Sequence, residues 1–243
     1  MRLRVPRCLI DAASVSLPPA DADGLVMVDL HIDNGRVRGL APADASTGDA
    51  MGLAITPPVE PHAHLDKTFS YSDFPNPGGS MDGALAANLT EFGQRTGAQV
   101  QQRSERALQQ AWRYGLRAIR SHIDSGGGAA SEASWEVLVE QRQRWADRIT
   151  LQLVALVPID LWLSPDAEAL ARRVAARGGL LGGVLGPPFG HGGRNGEAVR
   201  RLLELAAEHG VGVDLHVDEG EADPGLGVAQ VVQAARELRP GVP

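Results

Sequence analysis

The chain has 243 residues, 43% of them hydrophobic and 22% charged, with a formal net charge of -7. This is the profile of a globular protein with one large domain, or a domain plus a small satellite. It excludes a basic nucleic-acid surface, since no Lys/Arg stripe offsets the acidic balance. It also excludes a helical membrane span, since no apolar run approaches the ~18–20 residues required.

Cys8 is the single cysteine, which rules out an internal disulfide and a cysteine-based metal cluster. Any bound metal must therefore be held by histidines and carboxylates. The start, Met1 to Arg7, is basic but has no apolar segment behind it that would make a signal peptide, so a cytoplasmic location is expected. Of 23 basic residues, 22 are arginine; the one lysine, Lys67, follows directly on a His-x-His motif.

In chain order, residues 1–54 read as short strands and turns. Val26 to Ile32 and Arg36 to Leu40 form a hairpin around Asp33-Asn34-Gly35. This block is too small for a good core of its own.

From residue 55 onward, short apolar runs alternate with helical patterns. Strands are expected at 54–60, 116–122, 149–157, 180–185 and 211–217, with helices at 82–114, 131–145, 166–177, 197–209 and 226–238. That alternation predicts an α/β fold with a parallel sheet and crossover helices. No Gly-x-Gly-x-x-Gly follows the first strand, which argues against dinucleotide binding. His62, His64, His122 and His216 all fall at or just past strand ends, where a (β/α)8 barrel carries its chemistry. About five βα units fit in residues 55–243, so the expectation is the first part of such a barrel. The final Arg239-Pro240-Gly241-Val242-Pro243 reads as a turn into a sixth strand.

Three segments carry candidate chemistry. In Val59-Glu60-Pro61-His62-Ala63-His64-Leu65-Asp66-Lys67-Thr68, the two histidines would face opposite ways on a regular strand. At an irregular strand end both imidazoles can turn to one divalent metal; the alternative is a pair of surface histidines. In Asp214-Leu215-His216-Val217-Asp218-Glu219, His216 is a candidate third ligand. Glu219 is a candidate proton acceptor beside a metal-bound water, unless Asp218, Glu219 and Glu221 form only a solvated acidic loop. In Arg120-Ser121-His122-Ile123-Asp124, His122 reads as a hydrogen-bonded residue near the site. Asp124 reads as a group that orients a ligand histidine.

Together, Pro61-His62-Ala63-His64-Leu65-Asp66, Arg120-Ser121-His122-Ile123-Asp124 and His216-Val217-Asp218-Glu219 resemble the metal-dependent amidohydrolase superfamily, specifically its cytosine-deaminase-like branch, over roughly residues 50–240. The resemblance implies one divalent metal, zinc or iron, on His62, His64 and His216. Glu219 would shuttle the proton, and His122, Asp124, Asp66 and Lys67 would support the metal or the substrate. It further implies hydrolysis of a C–N bond, not a peptide bond, in a small nitrogenous ring such as cytosine or another cyclic amidine. Residues 1–54 look like the N-terminal part of the family's small β-sandwich domain. The family also has a histidine after the sixth strand and a metal-binding aspartate after the eighth, and both would lie beyond Pro243. Where a substrate-contacting polar residue follows the family's fourth strand, this chain reads Leu185-Gly186-Pro187-Pro188-Phe189-Gly190-His191, with His191 a substitute or a loop histidine.

On this reading the 243 residues alone are expected to be inactive. The alternatives are a truncated, catalytically dead relative, or a subunit that needs a second chain to complete the barrel; a homo-oligomer is also open. A complete smaller α/β hydrolase is a further alternative, against which no Gly-x-Ser-x-Gly nucleophile elbow is present.

Overall fold

A computed structural model describes the chain except residues 12, 14, 44–47, 49, 51, 187–193, 220–223 and 239–243. The chain forms two units, Met1–Pro57 and Pro58–Pro243.

In the first unit, β1 (Arg2–Pro6), β2 (Leu25–Asp33) and β3 (Arg36–Pro42) make an antiparallel sheet in that order. The expected hairpin is β2–β3. Asn34 and Gly35 both take positive φ, 49° and 72°, the backbone that a two-residue hairpin loop needs to match strand twist. Val5, Val26 and Val28 are buried, with Leu3, Ile10, Leu17, Leu30, Leu40 and Ala54 packed round them. Such a cluster is small for a unit of this size.

The second unit alternates strand and helix throughout. After β4 (Val59–Ala63) come α1 (Met81–Phe92) and α2 (Gly97–Arg113), then β5 (Ala118–Asp124) and α3 (Gly128–Arg144). They are followed by β6 (Thr150–Leu156), α4 (Ala167–Ala176), β7 (Leu180–Leu185), α5 (Asn195–His209), β8 (Val213–Val217) and α6 (Leu226–Glu237). The five strands form one parallel sheet in sequence order, β4-β5-β6-β7-β8. This curled half-barrel sheet is the arrangement of a partial (β/α)8 barrel. Its core runs through Ile123, Leu153, Leu181, Leu185, Trp135 and Leu202, all essentially inaccessible to solvent. Among the described residues no helix is long and apolar enough to cross a membrane.

Two local expectations are corrected. The first strand of the barrel lies at Val59–Ala63 rather than 54–60. Pro57 and Pro58 have no N–H to give a ladder, so pairing begins only after them. The helical stretch 82–114 is two helices. Thr96 ends the break between them by capping α2: its hydroxyl accepts from Gln99 N at 3.3 Å, and Gln99 Oε1 accepts from Thr96 N at 2.9 Å.

Gly182, which by propensity weakens β7, is required by the neighbouring backbones. A Cβ there would stand 2.6 Å from both Ala155 O and Asp214 O.

Candidate metal centre

The site is built at the carboxyl ends of β4, β5 and β8. Along β4, Glu60 pairs with Ile119 and Ala63 with Ser121, so β4 spends three steps where β5 spends two. This bulge breaks the alternation that would send His62 and His64 to opposite faces. Glu60 Oε1 holds the bulge by accepting from His62 N at 3.0 Å, and Ser121 Oγ accepts from Leu65 N at 3.0 Å just beyond it.

His62 Nε2 and His64 Nε2 then stand 3.2 Å apart, and His64 Nε2 and His216 Nε2 3.4 Å apart. His122 completes a cluster of four, one ring nitrogen from each lying within 4.8 Å of the others. His122 is tied away from the centre by a 3.1 Å contact between its Nε2 and Asp214 Oδ1. Its ring packs edge-on to His216 with centroids 4.6 Å apart.

The donor set fits a divalent cation. Two imidazole nitrogens on one ion at about 2.0–2.1 Å in near-tetrahedral geometry stand about 3.3 Å apart. A single Nε2 carries either one proton or one lone pair, so His64 cannot complement both neighbours by sharing protons, whereas one cation would serve all three. Protonation is disfavoured here. Burial, reinforced by the charge of Lys67, pushes the His64 imidazole down to about 2, and burial with His122 and His62 pushes His216 down to about 4. His64 and His216 are thereby held neutral, the form in which an imidazole can ligate a metal. Nδ1 of His64 and of His216 is buried without a hydrogen-bond partner in the protein.

Around the cluster lies a buried ion network. Lys67 Nζ donates to Asp124 Oδ1 and Oδ2 at 2.9 and 3.1 Å. Arg95, fully buried, donates to Asp124 Oδ2 at 2.9 Å, to Asp66 Oδ2 at 2.7 Å and to Glu91 Oε2. Arg103 donates to Glu91 Oε1 at 2.6 Å. Burial and the nearby Asp124 raise Asp66 to about 6. Burial works the same way on Asp124, but Lys67 and Arg95 outweigh it and hold that carboxylate below its usual range. On the barrel side Asp214, which meets both His122 and Arg120, is likewise held low against its burial.

A cavity of about 770 Å³ opens over the cluster. His64, Lys67, Asp124, His216 and Glu219 form its polar wall, while Phe74, Leu85, Phe92, Leu156 and Val157 contribute apolar surface. Glu219 Oε1 lies 4.0 Å from His216 Nε2, and its side chain is 37% exposed.

All the residues singled out from sequence, His62, His64, His122, His216, Glu219, Asp66, Lys67 and Asp124, thus meet round one cavity or directly beneath it. His191 and Glu221 lie outside the described residues. Sequence reasoning did not single out Asp214, Arg120, Glu91, Arg95 or Arg103. Asp214 was within reach of it, being two residues from His216 on the same strand and so on the same face. Glu91 and Arg95 were not, because an i,i+4 acid–base pair ordinarily reads as a solvated helix surface.

No family model matches the chain. Over 210 residues it is 34% identical to pterin deaminase of Rhizobium rhizogenes (strain K84), covering 82% of this chain and 46% of that protein. The chain is similar to enzymes of the amidohydrolase superfamily. It is also 24% identical over 177 residues to N-isopropylammelide isopropyl amidohydrolase of Pseudomonas sp. (strain ADP), with 70% of this chain and 43% of that one matched. Its fold is similar to that of 5-methylcytosine deaminase from Klebsiella pneumoniae liganded with 5-fluorocytosine, with a TM-score of 0.73 at 24% identity over 97% of this chain and 56% of that one. The chain spans about half the length of the curated relatives it matches.

Proposed function

We propose that the chain carries the metal-binding and proton-transfer part of a hydrolase that removes an amino group from a small nitrogenous ring. The observation that carries this reading is the convergence of three imidazole nitrogens, 3.2 and 3.4 Å apart in succession, beside a carboxylate that lines a cavity. The relatives named for deamination of pterin and for hydrolysis of N-isopropylammelide support it.

His62, His64 and His216 would hold one divalent ion, zinc or iron. When bound, such an ion supplies acidity to a water molecule, bringing its pKa toward neutrality. Glu219 would take a proton from the water whose oxygen attacks the ring carbon bearing the amine. Glu219 would then return that proton to the departing nitrogen while the ring nitrogen takes up the second proton of the water, so that the C–N bond breaks, a C=O bond forms, and ammonia or an amine leaves. The apolar wall holds the flat ring and excludes bulk water. Asp124 and Asp66, anchored by Arg95, keep the loop after β4 in place. His122 packs against His62 and His216 and steadies both rings.

β4 and β8 pair on one side only among the described residues, and we infer that they accept strands from further polypeptide, of the same chain or of a second one. A cytoplasmic setting agrees with the single cysteine.

The test uses the protein as its gene encodes it, loaded with zinc or with iron, and follows ammonia release from pterin and cytosine. Glu219→Gln is expected to retain metal and to lose turnover by at least a hundredfold. Full turnover in that variant would refute the role of Glu219, and absence of metal binding by the wild type would refute the site.

A further inference from the structure

The buried ion network ends, on the cavity side, in a lysine. Lys67 commits its two observed hydrogen bonds to the two oxygens of one residue, Asp124. An ammonium has three N–H bonds, so one donor remains on a side chain that keeps 19% exposure and lines the cavity with His64, His216 and Glu219. Apart from the histidines it is the only basic residue in that lining among the described residues. In a chain whose other Lys/Arg positions are all arginine, this one presents a compact point donor to the cavity instead of a planar fork.

The ammonium is also fixed. Asp124 is held from behind by Arg95, and all three nitrogens of that guanidinium are engaged by Asp66, Glu91 and Asp124. The charges balance: Lys67, Arg95 and Arg103 face Asp66, Asp124 and Glu91. No surplus positive charge calls for an anionic ligand. The remaining N–H calls for a neutral acceptor; a flat nitrogen ring offers unprotonated ring nitrogens and carbonyl oxygens, and a carbonyl oxygen projects beyond the ring edge to meet a fixed donor.

Resting on the reading of the cavity as a ring-binding site, we propose that Lys67 is a specificity residue that selects oxo-bearing nitrogen heterocycles, donating its free N–H to a ring carbonyl oxygen on an edge other than the one that loses the amine. A site built to donate to an oxo group rejects a ring with an amine there, because two donors then face each other.

The experiment is equilibrium fluorescence titration of the metal-free protein, so that no turnover intervenes, with pterin (2-amino-4-oxopteridine) and with 2,4-diaminopteridine. The wild type is expected to bind pterin about 10- to 100-fold more tightly. Lys67→Met should lower pterin affinity by a similar factor and leave the diamino compound within about threefold. Because that variant leaves Asp124 with Arg95 alone, Lys67→Met/Asp124→Asn is measured beside it, with thermal melting of each. Equal wild-type affinity for both pteridines, or unchanged discrimination in a folded Lys67 variant, would overturn the role of Lys67 and leave the ring-binding site standing. Failure of the wild type to bind either pteridine would overturn the ring-binding site itself, and the role of Lys67 with it.

Discussion

His122 and Asp214, 92 residues apart in sequence, meet at 3.1 Å beneath the histidine cluster, and Arg120 shares the same carboxylate. The pair joins β5 to β8, strands that are separated in the sheet by β6 and β7. It therefore ties together two of the three strands that supply the site. Asp214→Ala leaves the buried His122 Nε2 without its partner, at a cost of about 1–3 kcal/mol. It also frees a ring that packs on His62 and His216. Metal affinity is expected to fall about 10- to 100-fold, as for other groups that support ligand residues. Cobalt titration and urea unfolding measure the two effects.

Metal removal separates ligands from neighbours. Saturating zinc at a hundred times its Kd should stabilise the protein by about 2.7 kcal/mol and raise its Tm by several degrees, an increment that chelator abolishes. His64→Ala and His216→Ala should abolish this zinc-dependent increment. His122→Asn should keep part of it, because His122 is engaged by Asp214. Calorimetry with and without chelator checks each variant.

Asp218 takes a positive φ of 56° and accepts from Gly227 N at 2.7 Å and Val228 N at 3.1 Å. It thereby ties the end of β8 to the first turn of α6 and sets the backbone from which Glu219 projects. A Cβ on Gly227 would stand 2.6 Å from Asp218 Oδ1, so the close approach needs glycine. Asp218→Ala should cost about 1–2 kcal/mol, the usual value of a lost helix cap. Faster amide exchange at Gly227 and Val228 is the direct readout; unchanged exchange would contradict the tether.

Gly182→Ala forces a methyl between Ala155 O and Asp214 O, neither of which can yield without breaking the sheet. A loss of about 3 kcal/mol or failure to fold is expected. Gly196→Ala is the control. Nothing lies within 4 Å of its added methyl in the first turn of α5, and a gain of about 0.5 kcal/mol is expected. Chemical denaturation compares the two.

The βα alternation was legible in residues 55–243 because apolar runs and amphipathic stretches are local patterns. β7 was expected at 180–185 and lies at Leu180–Leu185. β4 was displaced because 54–58 has strand-like residues, yet its prolines cannot pair. His62, His64 and His216 were legible as a candidate set through residue type and position at strand ends. Arg95 was not, because its burial follows from the break before Thr96, which turns the side chain inward to Asp66 and Asp124.

The sequence by itself determined the kinds of group available: histidines without cysteines, a carboxylate three residues beyond His216, a single lysine, and strands in an order suited to a parallel sheet. Tertiary structure alone decided which of these groups meet. The bulge between Glu60 and Ala63 turns two histidines of one strand to one point, and the curl of the sheet carries Asp214 under His122. The physical reason is that hydrophobic periodicity is written locally, whereas convergence of side chains from β4, β5 and β8 depends on register, bulges and sheet curvature. Those are settled only when the strands pair.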